Sequence, residues 1–150
     1  MILRFLPFAA AAAWMLPVCA QSAPSGWQVI KDTKQTCQIA VPGDWTTDKI
    51  MHSMASSPDK KSTAVIHGVR PGQSLAQVTS TAKQMMKPIQ TFDDSSKRVW
   101  YSYESRGRQA THWYVAVPGN GNVCNADISF EDGSFESTAK KIVESIGPAH

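Results

Sequence analysis

The sequence predicts an α+β domain built on a mostly antiparallel sheet of six or seven strands with two helices. Three observations carry this. Several segments alternate apolar and polar residues and are separated by Pro-Gly or Gly-rich turns at hairpin spacing. Two other segments carry their apolar residues at helical spacing. Several strands place bulky residues on both faces, so the sheet is either covered on both sides or keeps one face as an aromatic ligand surface.

The chain opens MILRFLPFAAAAAWMLPVCAQSAPS. A basic Arg4, an apolar run from Phe5 to Val18 and then small residues have the layout of a secretory signal peptide, residues 1–20, cleaved after Ala20. Cleavage after Ala23 would put Gln21 where a small residue is wanted. The apolar run is shorter than the ~20 residues that span a bilayer, so no stable membrane span is expected once the signal is removed. Lipid attachment at Cys19 is disfavoured, because Val18 stands where lipoprotein signals place a small residue. Residues 21–26 read as a disordered lead-in, and 27–150 as one domain.

Trp27 to Ile30 reads as a short first strand. Cys37, Ile39 and Val41 alternate with Gln38 and Ala40 in a second, which Pro42-Gly43-Asp44 turns. Trp45 should fold back over the core. Ile50 to Ala55 is a weak strand, with Ile50, His52 and Met54 on one face; Thr63 to Val69 is a strong one.

Ser74 to Ile89 is the first helix. It opens on a Ser74–Gln77 capping box, carries a stripe of Leu75, Val78, Ala82, Met85 and Ile89, and should end near Lys87 because Pro88 restricts that residue. The Met85-Met86 pair reads as core filling. Lys97 to Ser105, Gln109 to Val117 and Val123 to Glu131 form a β-meander, turned at Arg106-Gly-Arg108 and at Pro118-Gly-Asn-Gly-Asn122. Asp132 to Ile146 closes the chain as a second helix with Phe135, Ala139, Ile142 and Ile146 inward, stopped by Gly147-Pro148.

Composition narrows function. Without Arg4 the chain has 14 basic and 12 acidic residues, about +2, with basic residues in pairs and triplets rather than runs. That excludes nucleic acid as an expected partner. With Cys19 lost, Cys37 and Cys124 remain, close to 90 residues apart. In an oxidising compartment two cysteines allow one connectivity, a structural disulfide. Both sit on the apolar face of their strands, so the bridge should be buried.

Three stretches, IAVPGDW (39–45), SLAQVTSTAKQM (74–85) and ISFEDGSFESTAKKIVESI (128–146), resemble the PsbP-like and Mog-like α/β/α sandwich family. The resemblance covers nearly all of the chain that would remain after signal removal. It implies a three-layer sandwich with an antiparallel sheet, and membership among exported bacterial proteins of unknown role. Most members of that family are non-catalytic binding or assembly factors. Fold does not fix function, and the Cys37/Cys124 pair is not a mark of the family.

No catalytic constellation is visible along the chain. The four histidines (His52, His67, His112 and His150) lack H-x-x-x-H spacing, so neither a metal nor another cofactor is expected. No serine sits in a G-x-S-x-G elbow. Asp93-Asp94 lies in a polar loop, and the PGNGN segment joins two strands without a P-loop lysine. The candidate binding surface is aromatic and basic: Trp100, Tyr101, Tyr103, Arg106, Arg108, His112, Trp113 and Tyr114, the residue types that dominate protein interfaces. The expectation is an exported, periplasmic or secreted binding or assembly factor whose partner is another protein or an envelope component. The alternative is a small periplasmic hydrolase, which requires His112 or His67 to meet a carboxylate and a serine from distant strands.

Overall fold

The computed structural model describes residues 23–107 and 109–150. The expected signal segment, with its cleavage and acylation readings, lies outside the described residues, and so does Arg108. The fold is α+β with every strand pair antiparallel. A large sheet of seven strands joins β3 (Thr46–Thr47), β4 (Met54–Ser56), β5 (Ser62–Gly68), β9 (Val123–Phe130), β8 (Thr111–Pro118), β7 (Val99–Tyr103) and β6 (Pro88–Asp94), in that spatial order. A second sheet of three strands joins β1 (Trp27–Lys31), β2 (Cys37–Pro42) and β10 (Gly147–Pro148). The helices are α1 (Leu75–Met85) and α2 (Glu136–Glu144).

The meander appears where the spacing predicts it, with Trp113 opposite Ser102 on one side and Ile128 on the other. The capping box of α1 is present: Ser74 N donates to Gln77 Oε1 at 2.8 Å, and Gln77 N donates to Ser74 Oγ at 3.3 Å. Trp45 is buried and stacks on Phe135, with ring centroids 5.5 Å apart.

Four elements differ from the sequence expectation. The first helix stops at Met85, and Met86 packs inward. Met85 and Ile89 leave the expected stripe and are 79% and 66% exposed. The chain after Pro88 instead forms β6, an edge strand whose two register shifts break the period-2 pattern that would have revealed it. Ile50 is 91% exposed, and no strand covers 50–53, because the Asp48 carboxylate accepts from the amides of Ile50 and Met51 at 2.8 and 2.7 Å. That local capture holds the backbone in a turn. Finally, Gly147-Pro148 does more than stop a helix: it pairs with Cys37 and Gln38, pulling the C-terminus into the small sheet.

The two faces of the large sheet are covered differently. One face packs Ala55, Ala64, Ile66, Trp113, Val115, Cys124, Ala126, Ile128 and Phe130 against the small sheet and α2, through Ile39, Val41, Ala139, Ile142 and Val143. The other face packs Val99, Tyr101, Tyr114, Ala116 and Val123 against Val78 and Ala82 of α1. The layers are therefore α1, the large sheet, and a mixed layer of α2 with the small sheet.

Cys37 of β2 and Cys124 of β9 form a disulfide across the first interface, with Cα atoms 5.4 Å apart and both residues fully buried. Asp32 supports the β1–β2 turn beside it, accepting from the amides of Thr36 and Cys37 at 2.6 and 2.7 Å. A crosslink spanning 87 residues removes roughly 4–5 kcal/mol of chain entropy from the unfolded state, less any native strain. The double variant Cys37→Ala/Cys124→Ala should lose up to about that amount in urea unfolding. The native bridge should also resist reductant until denaturant is added. Two titratable thiols in the native exported protein would refute it.

Candidate functional site

The second face of the large sheet is only half covered. Register puts Tyr103, His112, Ser129 and Thr63 in one row across β7, β8, β9 and β5. The next row is Tyr101, Tyr114, Asp127 and Val65, and the one after is Val99, Ala116, Asn125 and His67. α1 lies over the β7–β8 end of these rows. It leaves Tyr103, His112, Asn125, Asp127 and Ser129 half-buried and His67 exposed.

Asp127 is the centre of this patch. Tyr103 OH donates to Asp127 Oδ1 at 2.9 Å, and His67 Nε2 stands 3.8 Å from Asp127 Oδ2. A third of the Asp127 side chain (34%) reaches solvent. Burial pushes its carboxyl above the ordinary aspartate value, while the Tyr103 hydroxyl and the nearby His67 and His112 pull it back. Burial also raises the phenols of Tyr101, Tyr103 and Tyr114, and the Asp127 charge adds to each shift, so all three stay neutral at physiological pH.

Around this centre, the rings of Tyr103 and His112 lie 5.4 Å apart, inclined at 37°. Asn125 Nδ2 donates to Tyr114 OH at 3.3 Å, and the hydroxyls of Thr63 and Ser129 share a hydrogen bond of 2.7 Å. Tyr101 OH and Asn125 Oδ1 are buried without a hydrogen-bond partner among the described residues.

The seven described residues of the expected aromatic and basic surface do not share one face. Trp100 and Trp113 point into the interface with the small sheet, in a ring cluster with Phe92 and Phe130. Trp113 is 2% exposed. Tyr101, Tyr103, His112 and Tyr114 lie on the opposite face, and of these Tyr101 and Tyr114 are buried beneath α1. Arg106 sits exposed in the β7–β8 turn, beside a groove of about 810 Å³ lined by Met85, Ile89 and Thr111.

The sequence reading missed Asp127, the residue that joins these side chains. Its position on the polar side of a regular strand was a signal only in combination with the register of three neighbours. Asp93 and Asp94 are not a catalytic pair: Arg98 Nε donates to Asp93 at 3.0 Å, and Lys83 Nζ donates to Asp94 at 2.9 Å. The Pro118–Asn122 segment is the hairpin turn between β8 and β9, closed by Gly119 N donating to Asn122 O at 2.8 Å. A groove of about 920 Å³ runs between that turn and the start of α1, away from Asp127.

Two of the solved structures similar to this chain are distant from it in sequence. One is cyanobacterial PsbP (CyanoP) from Synechocystis sp. PCC 6803, 13% identical over 87% of this chain and 97% of its own, with a TM-score of 0.46. The other is LpqN of Mycobacterium tuberculosis, described as involved in cell envelope biogenesis, 14% identical over 86% of this chain and 82% of its own, with a TM-score of 0.42. No family model and no curated protein matches the sequence.

Chemically, the patch offers a carboxylate, neutral phenols, imidazoles and hydroxyls on an open sheet face. Among the described residues no group of three His, Cys, Asp or Glu side chains is placed to hold a metal ion. It does bring His112, Ser129 and Asp127 together, with His112 directly opposite Ser129 in register. Asp127, however, takes its short hydrogen bond from Tyr103, and the Ser129 hydroxyl is paired with Thr63.

The raised carboxyl makes a signed prediction. A carboxyl whose folded value lies above its unfolded one costs no stability near pH 3, where both states are protonated; the cost sets in as pH rises past the unfolded value of about 4 and is complete above the folded value. Asp127→Asn keeps an oxygen to accept from Tyr103 and removes the charge. It should raise the Tm at pH 7 and leave it unchanged near pH 3. A lower Tm at pH 7 would show that the charged form is instead held by its neighbours.

Proposed function

We propose that this is an exported, non-catalytic binding or assembly factor of PsbP-like fold. On this reading it engages a protein of the bacterial envelope through the uncovered half of its large sheet. The observation that carries the reading is Asp127: a half-buried carboxylate, among tyrosines, with no lysine or arginine paired to it among the described residues. Such a group works against folding, and departures of this kind concentrate at functional sites. The periplasmic or secreted location draws support from the signal-like leader and from the buried disulfide, which forms in oxidising compartments. Among the described residues no helix is long and apolar enough to cross a membrane.

The test is a crosslinking pull-down from native periplasm using the exported protein. Wild type should recover a specific partner that Asp127→Asn loses. Arg106→Ala, beside the groove at the end of α1, measures whether the basic turn extends the surface. If Asp127→Asn recovers every partner that wild type does, the face is the wrong one.

The opposition of His112 on β8 and Ser129 on β9, two residues along the strand from Asp127, favours a hydrolase as the second reading. Hydrolysis of activated esters by wild type, abolished in Ser129→Ala while the fold is retained, would replace the binding proposal with that one. Equal rates in both proteins remove it.

A further inference from the structure

We infer that the Asp127 face receives an arginine side chain of the partner protein. This rests on the reading of the face as the recognition surface and names the group it recognises. Tyr103 occupies Asp127 Oδ1, His67 Nε2 stands 3.8 Å from Oδ2, beyond hydrogen-bond distance, and His112 lies near enough to act on the charge. Oδ2 therefore keeps lone pairs for a donor, on a side chain that reaches solvent.

Further acceptors lie close by. The Thr63 and Ser129 hydroxyls share one hydrogen bond between them, so each retains an open lone pair. Tyr103 and His112 supply ring surface beside the carboxylate. A carboxylate, extra acceptors and ring faces match one group well: a planar guanidinium with five donors, which stacks on rings while it bonds to a carboxylate.

Other occupants fit less well. An anion meets the Asp127 charge. An apolar segment would strip water from the carboxylate without pairing it. A lysine satisfies the charge as a point and makes no use of the rings. A small free amine gains little on a face that is open rather than enclosed, whereas a side chain fixed on a folded partner arrives with its position already set.

The test is an NMR titration of the isotope-labelled exported protein with an acetyl-Gly-Arg-Gly-amide peptide and with its citrulline analogue, which keeps the shape and lacks the charge. The arginine peptide should move the amide signals of Tyr103, His112, Asn125 and Asp127, and the citrulline peptide should leave them in place. Asp127→Asn should weaken the interaction about tenfold or more, the scale of one charge-assisted hydrogen bond. Tyr103→Phe keeps the ring and frees Oδ1, so it should retain binding. That contrast separates recognition from a merely structural role for the Tyr103–Asp127 pair.

Equal shifts from the citrulline peptide, undiminished binding by Asp127→Asn, or no localised shift at millimolar peptide overturns the inference. If the pull-down partner still depends on Asp127 while the arginine peptide fails, the inference falls and the binding surface stands.

Discussion

The contact between β2 and β9, fixed by the Cys37–Cys124 bridge, is the constraint from which the other arrangements follow. β9 lies inside the seven-stranded sheet, between β5 and β8. Seating β2 on it commits the whole three-stranded sheet to that face. The pairing of Gly147-Pro148 with β2 then returns the chain end to the same side and holds α2 there. Fully buried Ile39, Val41, Ile66, Ile128 and Ile142 meet in the layer so formed. Burial of this kind contributes roughly 1.5–3 kcal/mol per large side chain, so this layer dominates the stability.

The same commitment leaves one short helix for the opposite face. The 11 residues of α1 span about 16 Å at the helical rise, too little to cover strands from β4 to β7. Its small inward residues, Val78, Thr79 and Ala82, bring it close over Tyr101 and Tyr114, and the β5–β9 end of the sheet stays open. Asp127 lies at the edge of that opening, close enough to the covered tyrosines to lose water and far enough from α1 to remain reachable. Burial, charge and access at one side chain thus trace back to which elements the bridge drew to the other face.

Much of the fold was legible in the sequence because it rests on local patterns. The meander, the capping box at Ser74, the turn at Pro42-Gly43 and the helix closing the chain are each written in consecutive residues. The disulfide was legible from cysteine number and face. The strand β6 was not, since an edge strand with two register shifts loses alternation and its residues are largely exposed. The separation of β1 and β2 into their own sheet was hidden as well, because it depends on the two-residue β10 far along the chain. At the candidate site, tyrosines and a histidine were visible as an aromatic group. The division of that group between two faces follows from the period-2 alternation of side chains along β7 and β8. Asp127 stayed hidden because nothing in its own strand marks it: its character comes from Tyr103, His67 and the cover of α1.

The central claim is that the open half of the sheet is occupied when the protein is at work. Histidine modification tests it directly, because His67 and His52 are both exposed and only His67 lies on that face. Diethyl pyrocarbonate labelling of intact envelopes, compared with the purified protein, should show His67 protected in the envelope and His52 labelled equally in both. Equal labelling of His67 in both would contradict the account.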